Sequence, residues 1–457
     1  MLLDDLRTAL GETAVVTNPD DRQPYERDWR HTVKGRALCV VKPRTTAEVA
    51  TVMRLAARDN VSVVPQGGNT GMAAGAVPDG SGTQIVLSLS RMNAIRHIDP
   101  VGMTIEVEAG CILKTAQDAA EAQGRMLPVS LAAEGSAQIG GIVSTNAGGI
   151  NVLRYGMTRQ LVLGLEVVLA DGTVVDGLRH LRKDNAGYDW KHLFVGSEGT
   201  LGIVTAAVLR IMPRPKSVVT ALLSVGSAEQ ALLLLKSMQD ELGDVINAFE
   251  LISGFSLELV DKHFGLKAPI DAGDWFVLLE ASSSLPGLRD AVEGALMTAL
   301  EGGTAIDGVI AESQAQAQQI WALRERITEA ELKEGRSAKH DVSVPIPALP
   351  AFLAEAREAL ETKAPGTRLN AFGHAGDGNV HFNVLLPEGQ DVGEVNRLVH
   401  DIVAAHRGSI SAEHGIGSYR VAELVRYRSA EELELSRLIR RSLDPRGLLN
   451  PGKVILP

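Results

Sequence analysis

Residues 65–71 read PQGGNTG, residues 135–149 read GSAQIGGIVSTNAGG, and residues 194–205 read FVGSEGTLGIVT. Each of these glycine-rich stretches borders a segment rich in β-forming residues. Adjacent glycines let backbone N–H groups turn toward one anion, such as a diphosphate, although a single loop of this kind is equally well explained as a tight turn. Three such loops are hard to explain as independent turns. Together they predict a long cofactor that lies across several loops.

Two common nucleotide-binding patterns do not account for these loops. The sequence has no GxGxxG that follows a strand and opens a helix, so a Rossmann dinucleotide site is not supported. GLLNPGK at 447–453 has the spacing of a P-loop, but Val454 follows it instead of Ser or Thr, and Pro451 lies inside it. We interpret the P-loop spacing as a coincidence.

Hydrophobic periodicity predicts the elements of the first half. Residues 37–65 predict a β-α-β unit whose helix begins with a capping box formed by Thr45 and Glu48. Alternating apolar and polar residues indicate strands further along, and Asp171-Gly172 is typical of a hairpin turn. The pattern predicts strands at 85–110, a helix at 113–123, a hairpin at 163–177 and a strand at 203–212.

The pattern changes at Pro213-Arg214-Pro215, which predicts a linker or domain edge. From 216 to 405, strand-like runs such as WFVLLEAS alternate with helix-like runs such as LRDAVEGALMTAL. This alternation is typical of an α+β domain with an antiparallel sheet. The tail, 430–457, reads as a helix followed by DPRGLLNPGK.

Charge and composition exclude several classes of protein. A net charge of −11 disfavours binding to nucleic acid or to an anionic membrane surface. The two cysteines, Cys39 and Cys111, are too few for an iron–sulfur cluster held by the protein, and they predict no disulfide framework. The N-terminus lacks the features of a secretory signal, and no apolar stretch of about 18 residues predicts a transmembrane helix. We therefore expect a cytoplasmic protein.

A second group of motifs contains histidine. Residues 373–383 read GHAGDGNVHFN and residues 411–417 read SAEHGIG. His381 and Asn383 are two residues apart, so they face the same side of a strand. Two histidines and one carboxylate are enough for a catalytic divalent metal with an open coordination position. The spacing alone, however, is better explained by histidines that only make hydrogen bonds.

Four motifs in a fixed order resemble a known family. PQGGNTG, GSAQIGGIVSTNAGG, GSEGTLG and the terminal LNPGK are similar to the motifs of the vanillyl-alcohol oxidase-type FAD fold. Within it, the chain resembles the branch that contains D-lactate, glycolate and D-2-hydroxyglutarate dehydrogenases. The resemblance implies an α+β protein with a two-subdomain FAD-binding domain at 1–215, a substrate-binding cap domain with an antiparallel sheet at 216–405, and a C-terminal helical segment at 406–457 that completes the active site.

The same resemblance implies where FAD binds. Family members with covalently attached flavin usually carry a histidine in or near the first loop, where this chain has Asn69 and Thr70. We therefore expect FAD to be bound non-covalently. The residues implied to bind it are Pro65, Gly67, Gly68, Asn69, Thr70, Gly71, Gly135, Ser136, Gly140, Gly141, Thr145, Asn146, Gly149, Glu198, Gly199, Ile203 and Asn450.

The histidine motifs match the metal-binding motifs of the D-2-hydroxyglutarate dehydrogenase group. The resemblance implies that His374, His381 and Glu413 are metal ligands, and that Asn383 and His414 face the substrate. A metal-bound hydroxyl has a lowered pKa, and a neutral histidine accepts its proton near pH 7. We expect His414 to be this base and flavin N5 to accept the hydride. Zinc is the first expectation, although manganese, iron or cobalt would fit nearly as well.

Arg324, Thr328 and Lys339 match the substrate-carboxylate motif of the same branch. Arg324 and Thr328 are four residues apart, so one helix would place them on one face. Taken by itself, Arg324 is explained as well by a solvated charge on a helix surface. Two cations and a hydroxyl suit a substrate with two carboxylates. D-2-hydroxyglutarate is therefore the expected substrate, with D-malate, D-lactate or glycolate as weaker alternatives.

Two other functions are considered beside this one. A metal-dependent hydrolase would use the same histidines but would leave the three glycine-rich loops unexplained. A non-catalytic flavin-fold subunit would need neither the metal set nor the basic set. For a dehydrogenase without cluster cysteines, we expect an external electron acceptor, either an electron-transfer flavoprotein or a quinone, and a homodimer is the general prior.

Overall fold

The computed structural model describes residues 1–270 and 273–456. These residues form two compact units. The first unit contains residues 1–149, 156–214 and 413–457, and the second contains residues 150–155 and 215–412. The division of the chain into domains at 215 and 405 remains a prediction from the sequence.

Helices and strands are spread over both units. The strands are β1 (Val15–Val16), β2 (Ala37–Val41), β3 (Val63–Gln66), β4 (Gln84–Ser88), β5 (Ile95–Asp99), β6 (Thr104–Glu108), β7 (Arg125–Met126), β8 (Val162–Val168), β9 (Val174–Gly177), β10 (Ile203–Arg210), β11 (Met212–Pro213), β12 (Ser217–Val225), β13 (Ile246–Ser253), β14 (Trp275–Ser283), β15 (Asp307–Ile310), β16 (Ser337–Ala338), β17 (Asp341–Ser343), β18 (Arg368–Gly373) and β19 (Asn379–Leu385). The α-helices are α1 (Leu2–Leu10), α2 (Pro19–Arg22), α3 (Thr46–Asp59), α4 (Leu113–Ala122), α5 (Ile139–Thr145), α6 (Val152–Tyr155), α7 (Thr158–Leu161), α8 (Lys191–Phe194), α9 (Ala228–Leu242), α10 (Gly254–Phe264), α11 (Leu288–Glu301), α12 (Gln314–Glu325), α13 (Ile327–Glu334), α14 (Leu349–Lys363), α15 (Val392–Ala405), α16 (Val421–Tyr427) and α17 (Ala430–Leu443).

The first unit contains a four-stranded sheet in the order β1-β2-β4-β3. Strands β2 and β3 both pair in parallel with β4, and α3 connects β2 to β3, as the sequence predicted. The side chain of Thr45 accepts a hydrogen bond from the backbone N–H of Glu48. The Glu48 carboxylate accepts from the N–H of Arg44, one residue before the position that a capping box predicts. Five buried apolar side chains of α3 and several from the sheet belong to one core.

A five-stranded antiparallel sheet in the order β5-β6-β10-β8-β9 completes this unit. The predicted hairpin at 163–177 is confirmed, because β8 and β9 pair and Gly172 has a φ of +85° in the turn between them. The predicted helix at 113–123 is α4, and the predicted strand at 203–212 is β10. Apolar side chains from α4, α5 and this sheet form the second core of the unit.

The second unit is built on an eight-stranded antiparallel sheet. Its order is β15-β12-β14-β13-β18-β19-β16, and β17 also pairs with β19. The antiparallel sheet predicted for 216–405 is therefore confirmed. Helices α10, α12 and α13 pack their buried residues against one face of this sheet. Among the described residues, no helix combines the length and the apolar character that a membrane span requires.

Candidate functional site

Two of the predicted cofactor loops lie in contact. A Cβ atom on Gly68 would be only 2.0 Å from the carbonyl oxygen of Ser136, so no other residue fits there without a shift of the backbone. A Cβ on Gly67 would lie 3.5 Å from the side chain of Gln138 and 3.6 Å from the backbone nitrogen of Gly141. The glycines at 67 and 68 thus let the loop after β3 approach the start of α5.

The loop at 65–71 presents unused backbone donors. The N–H groups of residues 67–71 donate no hydrogen bond to any residue that the structure describes. Asn69 has a φ of +53°, and its side-chain Nδ2 donates to the carbonyl of Arg27 at 2.7 Å, which holds the loop in this conformation. The buried side-chain oxygen of Gln138 also lacks a partner in the described part of the chain. Five free donors in one loop fit an anionic group such as a diphosphate.

Several of the other predicted cofactor residues have structural roles that the sequence did not reveal. The Thr145 hydroxyl donates to the carbonyl of Gly141 at 2.9 Å, and the Asn146 side chain accepts from the N–H of Arg159 at 2.9 Å. Ile203 is buried in the core beside the four-stranded sheet, so its side chain is not exposed to a ligand. Pro65 lies in β3, Gly135 and Ser136 precede α5, Gly140 lies against Ala109, and Gly199 adopts a φ of +72°.

Glu198 connects the third glycine-rich loop to the C-terminal segment. Its two carboxylate oxygens accept hydrogen bonds from the backbone N–H groups of Ile416 and Gly417, at 2.7 and 2.8 Å. A Cβ on Gly415 would lie 2.7 Å from the carboxylate, so glycine leaves the space that the carboxylate needs. Burial raises the pKa of the Glu198 carboxyl, and the two backbone N–H groups act in the opposite direction.

Asn450 joins the same group from the C-terminus. Its side-chain Nδ2 donates to the carbonyl oxygens of Gly75 and Glu198, at 2.9 and 2.7 Å. Its side-chain oxygen is buried and has no partner among the described residues. Gly149 contributes through its N–H, which donates to Glu413 at 3.0 Å. The first unit therefore brings Glu198 and Asn450 together beside residues 415–417, and it brings Gly149 to Glu413.

In the second unit, polar side chains share one face of the sheet. Asn370 lies opposite Asn383 in the ladder of β18 and β19, and Phe372 lies opposite His381. Directly opposed residues of an antiparallel pair point to the same side, which is also the side of Glu250 on β13. Helices α12 and α13, which carry Arg324 and Glu331, cover this face.

Glu250 is a functional candidate that the sequence analysis missed. It is fully buried; one oxygen accepts a hydrogen bond from Nδ1 of His374, and the other accepts from Nε of Arg324 at 2.7 Å. Burial alone would raise the pKa of this carboxyl, but the charges of His374 and Arg324 and the two hydrogen bonds lower it to about 2. An ionised carboxylate only accepts, so Nδ1 of His374 carries the proton and Nε2 remains as a ligand atom.

Glu331 is the second buried carboxylate that was missed. One of its oxygens accepts from the side-chain amides of Asn370 and Asn383, both at 2.7 Å. The other accepts from the Ser337 hydroxyl at 2.5 Å and lies 3.2 Å from the Lys339 ammonium. The predicted substrate residues Asn383 and Lys339 are therefore held by one carboxylate. Sequence spacing offered a signal, because Glu331 shares the apolar face of α13 with Ile327 and Ala330.

Arg324 and Thr328 do not lie in one helix, contrary to the prediction. Helix α12 ends at Glu325 and α13 begins at Ile327, with Arg326 at the junction. Arg324 is largely buried and lies over the ring of Phe372, whereas Thr328 is exposed. The two terminal nitrogens of Arg324 donate to no residue that the structure describes, so they are available to a carboxylate ligand.

Two of the predicted metal ligands, His374 and His381, are close to each other in the second unit. The rings of His374 and His381 are 5.9 Å apart, and Nδ1 of His381 lies 4.0 Å from the Asp341 carboxylate. The N–H of Ala412 donates to the carbonyl of Asp341, and this contact fixes the chain immediately before Glu413. His374 and His381 belong to the second unit and Glu413 to the first, and together they offer two histidine nitrogens and one carboxylate. This donor set fits a divalent ion such as zinc. His414 follows in the chain and is partly exposed.

Comparisons with known proteins agree with the predicted fold. The family model for the C-terminal domain of FAD linked oxidases matches residues 214–454, and the model for an FAD binding domain matches residues 37–177. Among solved structures, p-cresol methylhydroxylase covers 99% of this chain and 96% of its own, with a TM-score of 0.74 at 17% identity. That likeness confirms the vanillyl-alcohol oxidase-type fold.

Two curated relatives match nearly the whole chain. The mitochondrial D-2-hydroxyglutarate dehydrogenase of Bos taurus is 40% identical, over 96% of this chain and 81% of the relative. The D-2-hydroxyglutarate dehydrogenase of Xanthomonas citri pv. viticola is 41% identical, over 98% of this chain and 96% of the relative.

We expect Glu198→Ala to loosen the C-terminal segment and to weaken flavin retention. The substitution leaves the N–H groups of Ile416 and Gly417 without their acceptor, and each buried donor that loses its partner costs about 1–3 kcal/mol. Thermal unfolding and the flavin retained after dialysis measure the two effects. Glu121→Ala is the control, because Glu121 is exposed and pairs with Arg214 at the surface. Full flavin retention in Glu198→Ala would argue against this role.

Proposed function

Since the chain belongs to the FAD-linked oxidase family and is an FAD-linked dehydrogenase, we propose that it oxidises D-2-hydroxyglutarate to 2-oxoglutarate. The observation that carries the choice of substrate is a pair of cations in the second unit, each held by a buried carboxylate: Arg324 on Glu250 and Lys339 on Glu331. The two relatives named D-2-hydroxyglutarate dehydrogenase, at 40% and 41% identity, support the same substrate.

The flavin is held without a covalent bond in this proposal. The free N–H groups of residues 67–71 bind the diphosphate, and the start of α5 at 139–141 lies beside them. Bound FAD supplies the acceptor for the hydride that leaves C2 of the substrate. Asn69 holds the loop through its contact with Arg27, and Glu198 and Asn450 hold the C-terminal segment against the flavin-binding loops.

His374, His381 and Glu413 would hold a divalent ion, with zinc as the first choice. A metal at this position supplies a Lewis acid that lowers the pKa of the substrate hydroxyl. The contact of Glu250 with Nδ1 of His374 fixes the tautomer that leaves Nε2 as a ligand. The Asp341 carboxylate lies on the Nδ1 side of the His381 ring, 4.0 Å from that nitrogen. His414 accepts the hydroxyl proton, and Asn383 orients the substrate.

The two cations bind the two carboxylates of the substrate. Arg324 has two unused terminal nitrogens, which match the two oxygens of one carboxylate. Lys339 supplies a second charge, and Thr328 supplies a hydroxyl. Glu250 and Glu331 already neutralise the two cations, so a divalent ion would supply the added positive charge that a dianionic substrate meets at this site. This charge balance makes substrate binding dependent on the ion.

An external acceptor would take the electrons of the reaction, and an electron-transfer flavoprotein and a quinone remain the two candidates. A homodimer and a cytoplasmic location also remain predictions from the sequence. The hydrolase and the non-catalytic flavin-fold subunit are not retained, since the chain is an FAD-linked dehydrogenase.

We expect Arg324→Lys to raise the KM for D-2-hydroxyglutarate by about tenfold or more, because a charged hydrogen bond contributes about 1.5–3 kcal/mol. Lysine keeps the charge beside Glu250 but loses the two-nitrogen fork. The KM for D-lactate, which has no second carboxylate, is expected to stay within about twofold of the native value. Arg326→Lys is the control, since Arg326 is exposed and pairs with Glu329. Equal losses on both acids would instead assign Arg324 to the carboxylate that the two substrates share.

We expect His381→Ala to lose bound metal and turnover but to retain FAD, because His381 lies outside the glycine-rich loops. Metal content by elemental analysis and flavin content by absorbance check the two expectations separately. His406→Ala is the matched control. His406 directly follows α15, and its ring contacts Glu355 on α14 and not a predicted metal ligand. A variant at 381 that keeps its full metal content would remove this histidine from the ligand set.

A further inference from the structure

The carboxylate of Glu250 contacts a proposed metal ligand and a proposed substrate-binding residue at the same time. One oxygen accepts from Nδ1 of His374, and the other accepts from Nε of Arg324 at 2.7 Å. We propose that Glu250 is a positioning residue that couples metal binding at His374 to the binding of the substrate's second carboxylate at Arg324. The inference rests on the proposed function and adds a thermodynamic link between its two parts.

The coupling follows from how one carboxylate divides its charge between two donors. The Nδ1–H of His374 would become a stronger donor if Nε2 held a metal, because the metal would withdraw electron density from the ring. The Glu250 charge is then drawn toward His374 and neutralises Arg324 less completely. The guanidinium consequently attracts an external carboxylate more strongly. Linkage requires the reverse effect as well: a carboxylate on Arg324 strengthens metal binding by the same factor.

The surroundings of Glu250 prevent water from breaking this link. The Glu250 side chain is fully buried, and His374 is 8% exposed. The Arg324 guanidinium lies 4.7 Å from the centre of the Phe372 ring, which limits its movement. Charges that are buried together interact more strongly than charges at the surface, since solvent screens them less.

The second cation lacks such a link. Glu331, the partner of Lys339, accepts from Asn370, Asn383 and Ser337, and no histidine is among its contacts in the described part of the chain. A metal at His374 is therefore expected to act through Glu250 and to strengthen the binding of a carboxylate at Arg324. This effect adds to any direct contact between the ligand and the ion.

The chain offers a matched control for Glu250. Glu280 lies on the neighbouring strand β14, and it accepts from Nε1 of Trp321, which is on the same helix as Arg324. It contacts neither His374 nor Arg324 among the described residues. Glu280→Gln therefore repeats the chemical change of Glu250→Gln on the same sheet without touching the link.

Two ligands separate the coupled contact from direct contact with the ion. 2-Oxoglutarate carries a second carboxylate, whereas 2-oxobutyrate has the same 2-oxo acid end without it. The dissociation constants of both would be measured by calorimetry on the full-length, FAD-loaded protein. Each would be measured on protein stripped of metal by a chelator and again after zinc is restored. Neither ligand reduces the flavin, so the measurement is independent of turnover.

For the native protein and Glu280→Gln, we expect zinc to strengthen 2-oxoglutarate binding about fivefold more than it strengthens 2-oxobutyrate binding, the lower end of common coupling strengths. For Glu250→Gln, zinc should strengthen both ligands by equal factors. If zinc strengthens the binding of both ligands equally in the native protein, the inference is wrong. It is also wrong if zinc still favours 2-oxoglutarate about fivefold in Glu250→Gln.

Failure of the proposed function would look different. If zinc changes the affinity of neither ligand, the proposal that a metal binds at this site is wrong. If the metal-free protein binds the two ligands equally well, the proposed contact with the second carboxylate is wrong. Either result also overturns the coupling. Both differ from the result that contradicts the coupling alone, in which zinc strengthens the binding of both ligands by the same factor.

Discussion

The carboxylate of Glu250, fully buried between His374 and Arg324, is the interaction on which the rest of the candidate site depends. A charge in such a position persists only while its partners remain, and removing one partner of a buried pair costs about 3–5 kcal/mol. Glu331 on α13 repeats the arrangement, with Asn370, Asn383 and Lys339 as partners. Both carboxylates hold polar side chains in fixed positions on a sheet whose other residues are mainly apolar.

The first unit solves a related problem with backbone groups. Five N–H groups at 67–71 have no acceptor in the described part of the chain, and Gly67 and Gly68 of this loop lie close to residues 136–141. The side chains of Glu198 and Asn450 bind backbone groups of neighbouring loops, whereas Glu250 binds other side chains. A preorganised site of this kind binds a ligand without first having to order itself.

Sequence reasoning predicted local structure well where one element carries its own signal. Thr45, the apolar spacing of α3 and the Asp171-Gly172 turn each specify structure over a few residues, and the structure contains the elements that they predict. The three glycine-rich loops predicted a cofactor fold for the same reason. The junction at Arg326 was missed, since neither glycine nor proline marks it. Glu250 was missed because INAFELIS reads as an apolar strand, and its partners come from segments 74 and 124 residues away.

The central claim is that D-2-hydroxyglutarate delivers electrons to a flavin in this protein with the help of a metal. The most direct measurement follows flavin absorbance after anaerobic mixing with D-2-hydroxyglutarate, D-lactate or glycolate, before chelator treatment, after it, and after zinc is restored. We expect rapid bleaching by D-2-hydroxyglutarate that the chelator abolishes and zinc restores, with slower bleaching by the two monocarboxylates. A flavin that D-2-hydroxyglutarate leaves oxidised, in protein that retains both FAD and zinc, would contradict the account.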